Sequence, residues 1–244
     1  METVKKGSKD VLYMIIPAYN ESANIAQLVD DWYPVIEAHD GGGKSRMVII
    51  DDGSKDDTFA ILEKLAESRP LLKPITKPNS GHGATILHGY KYAISEGADY
   101  IFQTDSDGQT KASEFEDFWK RRRRYDMVIG WRRSREDGAS RVFVTNVLRL
   151  VVRLVFGVKV RDANTPYRLM KRETLEKYIN IIPDDYFLTN VVISVIYKKK
   201  NLAVRYLPIT FRPRQGGVNS INIRKITGIG LQALKDFRTI NRRL

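Results

Sequence analysis

The run Val11-Leu12-Tyr13-Met14-Ile15-Ile16, halted by Pro17 and followed by Ala18-Tyr19-Asn20-Glu21, is apolar without alternation. A strand with one wet face alternates polar and apolar residues. A run like this one fits a strand covered on both faces, as in a parallel sheet sandwiched between helices. The flanking sequence agrees. After Ser22, which can cap a helix, Ile25, Leu28, Val29 and Trp32 recur at helical spacing. Gly41-Gly42-Gly43 marks a loop, and Met47 to Ile50 reads as a second strand. Asp56-Asp57-Thr58 opens a helix with Ile61, Leu62, Leu65 and Ala66 on one face, and Leu72 to Thr76 reads as a third strand. Further on come a helix over Ala84 to Ser95, a strand over Tyr100 to Thr104, a helix over Glu114 to Arg124 and a strand over Met127 to Gly130. Strand–helix alternation of this kind predicts an α/β fold, a mostly parallel sheet flanked by helices.

The second half has a different pattern. Val147, Leu150, Val151, Leu154, Val155 and Val158 form an apolar stripe that can pack in the core or shelter a lipid tail. Arg149 and Arg153 lie on another face, either as its wet side or as the basic side of a helix lying on an anionic membrane. The run Arg121 to Arg124 reads as a solvated helix face. A strand is predicted over Ala203 to Phe211 and a terminal amphipathic helix over Ile226 to Phe237.

Composition narrows the function classes. The 244 residues suffice for a substantial core, and there is no cysteine, so disulfides and thiolate metal sites are excluded and a reducing, cytoplasmic setting is expected. Met1 to Asp10 has no apolar signal-peptide core, and no apolar run approaches a membrane span, so a soluble or peripheral protein is expected. With 41 basic and 29 acidic residues the net charge is +12, which favours anionic partners.

The residues that can carry chemistry fall at strand ends, where open α/β sheets bind ligands. They are Pro17 to Glu21, Asp51-Asp52-Gly53-Ser54, and Asp105-Ser106-Asp107-Gly108-Gln109. Each alone passes for a turn; three together point to one site. Asp105, Asp107 and Gln109 offer hard oxygens at alternate positions, enough for Mg²⁺ or Mn²⁺ when diphosphate oxygens and water complete the shell. A calcium loop places its glycine sixth, whereas here glycine is fourth, and three histidines without cysteine do not suit zinc. Lys77 to Ala84, with Gly81 and Gly83, is a glycine-bearing loop entering a helix, suited to close approach of a phosphate or sugar. Neither a P-loop nor a G-x-G-x-x-G pattern occurs, which disfavours ordinary kinases, ATPases and dehydrogenases.

These segments, with Asn79 to Gly83 and Asp162 to Arg172, resemble in order the family 2 glycosyltransferases of the GT-A fold, especially the polyprenyl-phosphate sugar transferases. The resemblance implies one GT-A (Rossmann-like) domain over 1–215, with a mobile loop and a C-terminal amphipathic helix over 216–244. It implies a nucleotide-sugar pocket at Pro17, Tyr19, Glu21, Asp52, Gly81 and Asp105, with Asp52 reading the base. Mg²⁺ or Mn²⁺ would sit on Asp105, Asp107 and Gln109, and Asp107, Arg141 and Arg214 would carry catalysis. The implied activity is inverting transfer from a UDP- or GDP-sugar to a lipid-linked acceptor, foremost polyprenyl phosphate, by a peripheral enzyme at the inner membrane face. A membrane-anchoring partner protein and a place in polysaccharide biosynthesis go with that reading.

Transfer to a hydroxyl needs a base, yet Tyr186 to Val191 offers no acid, leaving Asp184 or Asp185 as substitutes. A phosphate acceptor is already ionised and needs cations instead. Arg132, Arg141 and Arg214 match the family's phosphate-contacting arginines, with Thr145 as a hydroxyl donor to the acceptor phosphate and Arg133 and Arg135 as rivals of Arg132. Phe211 to Ser220, containing Arg214, resembles the loop that closes on the donor, although Ile221 stands where relatives often have lysine. The alternatives are a transferase acting on a saccharide hydroxyl, a sugar nucleotidyltransferase and a basic nucleic-acid-binding module. The acidic strand ends speak against nucleic acid.

Overall fold

The computed structural model describes residues 10–132, 139–212, 234 and 236–244, with 139–146 as backbone only. The described strands are β1 (Leu12–Ala18), β2 (Arg46–Asp51), β3 (Leu72–Thr76), β4 (Tyr100–Gln103), β5 (Met127–Arg132), β6 (Arg168–Lys171) and β7 (Val204–Ile209). They form one sheet in the order β3-β2-β1-β4-β6-β5-β7. All neighbours are parallel except β6, which runs antiparallel to both β4 and β5. The helices are α1 (Ile25–Ala38), α2 (Thr58–Ala66), α3 (His82–Ser95), α4 (Phe115–Trp119), α5 (Ala139–Phe156), α6 (Arg172–Glu176) and α7 (Thr189–Lys199).

Every residue of β1 is buried, for the reason its sequence suggests. Tyr13 and Ile15 pack into a core shared with α3, α5 and α7, while Leu12, Met14, Ile16 and Ala18 pack into a second core with α1, α2 and α4. Pro17 has the strand parity of Ile15, whose carbonyl accepts from Thr104 N on the β4 side. Its missing N–H therefore falls beyond the last β1–β4 pair, Ile15 with Gln103, and costs no rung. Gly89 lets α3 lie close on the sheet: a Cβ there would sit 2.4 Å from Ile15 Cγ2 and 2.7 Å from Ile50 Cδ1.

The α/β class and the parallel alternation hold, but several boundaries move. β1 continues through Pro17 to Ala18, α1 begins at Ile25 rather than at Ser22, and α3 starts at His82 rather than Ala84. The helix expected to reach Arg124 ends at Trp119 after a 3₁₀ turn over Ala112–Glu114. The solvated-face reading of Arg121 to Arg124 fails for Arg122, which stacks over the Trp119 ring at 4.1 Å and pairs with Asp10 at 2.8 Å. Its long stem and flat head cover indole that the early helix end leaves bare.

The apolar stripe of α5 divides. Val152 and Phe156 are buried, and Leu148, Val151, Val155 and Val158 pack partly against the same core. Val147, Leu150 and Leu154 are exposed. Packing follows the line Leu148–Val152–Phe156, rotated from the stripe drawn on the sequence. Of the expected terminal helix, most lies outside the described residues. Helical residues 236–243 bring Phe237 against Phe156, ring centroids 5.2 Å apart. The expected boundary at 215/216 also lies outside the described residues.

Candidate active site

The C-terminal ends of β1, β2 and β4 open into one cavity of about 420 Å³. Pro17, Tyr19, Glu21, Asp52, Gly81, Asp105 and Asp107 all line it, joined by His82. The sheet order explains this convergence: β1 has β2 on one side and β4 on the other, so three segments distant in sequence end side by side.

The two acids ending β2 do different things. Asp51 braces its own turn and the neighbouring strand, accepting from Ser54 N at 3.1 Å and from Thr76 Oγ1 of β3 at 2.8 Å. Asp52 fastens the next loop: its carboxylate accepts from Ser80 N and Gly81 N, both at 2.9 Å, and from Lys77 Nζ. Gly81 meets it with φ +88°, a backbone state that side chains disfavour. Burial of Asp52 would raise its pKa, but the Lys77 and backbone donors outweigh that and hold it below the ordinary carboxylate value.

Asp56 performs a similar task on the rim. It accepts from Ser22 N and from Thr58 N at 3.1 Å each and from Thr58 Oγ1 at 2.5 Å, while Glu21 N donates to Thr58 Oγ1. Glu21 is thereby fixed through the start of α2. Desolvation is more than offset by these donors, and the Asp56 pKa falls to about 2.

Asp105 is held from two sides. His82 Nε2 lies 3.0 Å from its Oδ1, and Gln103 Nε2 donates to the same oxygen at 3.3 Å. Gln103 in turn accepts from Tyr90 OH at 2.9 Å. Desolvation disfavours imidazolium at His82, yet the charge and hydrogen bond of Asp105, with Asp107 and Asp52 beyond, raise its pKa above the ordinary histidine value. Asp107 Oδ1 accepts Gln109 N at 3.2 Å. The Gln109 side chain turns to the exit of β7, where its Nε2 donates to Arg212 O at 2.9 Å, and the Gln109 main-chain carbonyl accepts Arg212 N at 2.8 Å.

The donor set can be tested against a divalent ion. Four carboxylates and one histidine stand among the described lining residues, so a diphosphate entering without a cation would meet net repulsion. No group of three or more His, Cys, Asp or Glu that could hold a metal occurs among the described residues. Two neighbouring carboxylates with little else suit Mg²⁺ or Mn²⁺ completed by phosphate and water, and not zinc.

Of the acceptor candidates, Arg132 is described with its side chain, and it is not among the residues lining the cavity. Arg132 ends β5, donates to both oxygens of Asp162 at 3.2 Å, and lies over the Phe211 ring at 4.9 Å. Arg141 and Thr145 fall on α5 where only the backbone is described, and Arg133, Arg135, Arg214 and Ile221 lie outside the described residues. Asp184 is 85% exposed and paired with Lys91, and Asp185 is exposed too; neither lines the cavity.

Residues 13–179, more than half the chain, match the sequence pattern of Glycosyl transferase family 2. The chain belongs to that family. Within it, the chain is 26% identical over 224 residues to polyprenol monophosphomannose synthase of Mycolicibacterium smegmatis, covering 87% of this chain and 82% of that protein. It is 27% identical over 187 residues to a dolichyl-phosphate β-glucosyltransferase of Trichomonas vaginalis, covering 70% of this chain but 55% of that protein. Among solved structures, glucosyl-3-phosphoglycerate synthase of Mycobacterium tuberculosis, in complex with Mn²⁺, UDP-glucose and phosphoglyceric acid, shares the fold. Its TM-score is 0.66 at 15% identity, over 95% of this chain and 80% of that one.

The family's segments were legible in the sequence, but their supports were not. Lys77 as the partner of Asp52 and Tyr90 as the partner of Gln103 are distant in sequence, although Gln103 itself is only two residues from Asp105. The one available signal was Gln103 itself, a polar residue in the otherwise apolar Tyr100–Gln103 strand.

Proposed function

We propose that this protein is a metal-dependent, inverting glycosyltransferase that moves a sugar from a UDP- or GDP-sugar to polyprenyl phosphate, peripherally bound at the cytoplasmic face of a membrane. The observation that carries the reading is the convergence of Tyr19, Glu21, Asp52, Asp105 and Asp107 on one cavity. Tyr19, 43% exposed, offers a ring face to the nucleoside, and the Asp52-fastened loop brings backbone close to the sugar diphosphate. Asp105 and Asp107 hold Mg²⁺ or Mn²⁺, which supplies Lewis-acid stabilisation of the departing nucleoside diphosphate, and Gln109 joins them when its side chain leaves Arg212 O. Arg132, oriented by Asp162, and Arg141 and Thr145 on α5 take the acceptor phosphate, and Arg214 meets the donor. An ionised phosphate needs no general base, consistent with Asp184 and Asp185 lying away from the cavity. The acceptors named by the two relatives support a polyprenyl phosphate. No helix among the described residues is long and apolar enough to cross a membrane, and a separate anchoring protein fits the same reading.

The test is a panel of radiolabelled UDP- and GDP-sugars with membrane lipid extract. Label should enter the organic phase, stop on chelation and return with Mg²⁺ or Mn²⁺. Asp107→Ala should lower transfer about a hundredfold or more with the fold retained. Arg141→Ala should weaken acceptor use far more than donor hydrolysis. Label confined to water-soluble saccharide, or an active Asp107→Ala protein, refutes the reading.

A further inference from the structure

Helix α5 carries an apolar ridge that the fold leaves uncovered. Leu154 is 75% exposed, Leu150 56% and Val147 43%, at spacings that set the three along one side of the helix. Leucine exposed to this degree on successive turns contributes nothing to the core that Val152 and Phe156 fill from the opposite side.

Beside the ridge is a concentration of positive charge. Leu150 also borders a recess of about 510 Å³ whose other lining includes Arg149, Arg153, Lys159 and Arg161. All four cations are exposed, and no acidic residue is among the described residues lining the recess. Two of them are fixed in place: Arg149 Nη2 donates to Arg161 O at 2.7 Å, and the Arg161 guanidinium lies 3.8 Å above the Trp131 ring. Among the described residues none of the four forms an ion pair with a carboxylate. Leucines in line beside clustered arginine and lysine match the interface of an anionic bilayer, where acyl chains take the ridge and headgroup phosphates take the cations.

The position also matters. Trp131, under Arg161, immediately precedes Arg132, and Arg161 immediately precedes Asp162, the partner of Arg132. The charged recess therefore adjoins the flank of the site assigned to the acceptor phosphate.

We propose that Val147, Leu150 and Leu154, with Arg149, Arg153, Lys159 and Arg161, form the face by which this enzyme docks on an anionic lipid bilayer, α5 lying along the headgroup plane. The inference rests on the proposed lipid-linked acceptor, because docking here brings a membrane-embedded phosphate to the Arg132 flank.

The experiment is flotation of the full chain with phosphatidylcholine vesicles, with and without about 30 mol % phosphatidylglycerol and free of any polyprenyl phosphate. The wild type should float with the anionic vesicles and not with the neutral ones. Leu150→Ser/Leu154→Ser and, separately, Arg153→Glu/Lys159→Glu should each lower binding about tenfold or more, with unchanged circular dichroism and melting. Neither pair belongs to the catalytic site. Both variants should keep wild-type turnover of a short-chain, water-soluble polyprenyl phosphate while losing transfer to the same phosphate embedded in anionic vesicles. Wild type that ignores anionic vesicles overturns the proposal, as do variants that bind like wild type. So does a concentration-dependent dimer that Leu154→Ser abolishes, since a second copy would then be the occupant. Vesicle binding without turnover of any polyprenyl phosphate would leave the docking face standing and remove the proposed reaction.

Discussion

Gln103 has no exposed surface, and both ends of its amide are engaged: Oε1 accepts from Tyr90 OH and Nε2 donates to Asp105. It stands between a buried phenol, whose pKa burial raises, and the carboxylate assigned to the metal. Asp105 approaches the cavity with its Oδ1 fixed by Gln103 and His82, so its orientation is settled before any ligand arrives. Replacing Gln103 by leucine keeps a similar bulk, removes one fixing donor, and leaves Tyr90 OH only the longer contact to Asn190 Oδ1 at 3.4 Å. The expected cost is about 1–3 kcal/mol in urea denaturation, the usual penalty for a buried polar group deprived of its partner. Activity should need a several-fold higher Mg²⁺ or Mn²⁺ concentration for half-saturation, roughly 1 kcal/mol at the metal. A variant that loses stability but keeps the wild-type metal titration would show that Gln103 serves packing alone.

At the scale of elements, the first half of the chain is readable because its inner strands are covered on both faces and its helices pack singly against them, with only the edge strand β3 half-buried. Local pattern and final environment therefore coincide, from Leu12–Ala18 to Met127–Arg132. The antiparallel β6 and the α7 helix carry no such pattern. Arg168–Lys171 is four residues with charge at both ends, and α7 is buried from Thr189 to Tyr197, so no wet face marks a helical period. The α5 sequence shows that the helix is apolar but not which side is inward, because only tertiary packing decides which of several adjacent apolar lines turns to the core. The rim joint between β1 and α2 illustrates a local device with a measurable signature. Asp56 titrates near 2 in the folded chain against an ordinary value of 3.8. A depressed folded pKa stabilises above the unfolded value and is lost as pH falls through the folded one. Its contribution should be complete above about pH 4 and disappear between about 4 and 2. Asp56→Asn should flatten that part of the acid limb in a pH series of thermal melts, without changing its shape above pH 5. An unchanged acid limb would assign the dependence to other carboxylates.

For the molecule as a whole, Arg168 is the residue on which the two sides of the sheet depend. It sits on β6, the strand that joins β4 to β5, and it is fully buried. Its guanidinium donates to Thr165 O at 2.7 Å, Ala163 O at 3.2 Å and Asn190 O at 3.0 Å, and contacts Ser194 Oγ at 3.4 Å. Burial lowers its pKa, but the carbonyl oxygens take the place of water around the charge. One side chain thus ties the segment following Asp162 to α7, beside the strand that splices the parallel β1–β4 unit to β5 and β7. Arg168→Met keeps the length and removes the guanidinium donors, leaving Thr165 O without them in a dry interior while Ser194 Oγ still reaches Ala163 O and Asn190 O. Loss of about 2–3 kcal/mol is expected from the carbonyl deprived of its donors. Because the tie spans the splice, unfolding should also lose its single transition: tryptophan fluorescence, reporting Trp32 and Trp119 in one core and Trp131 near the splice, should separate from circular dichroism in urea. A variant within about 1 kcal/mol of wild type, with coincident transitions, would mean that the backbone pairing of β6 alone holds the halves together.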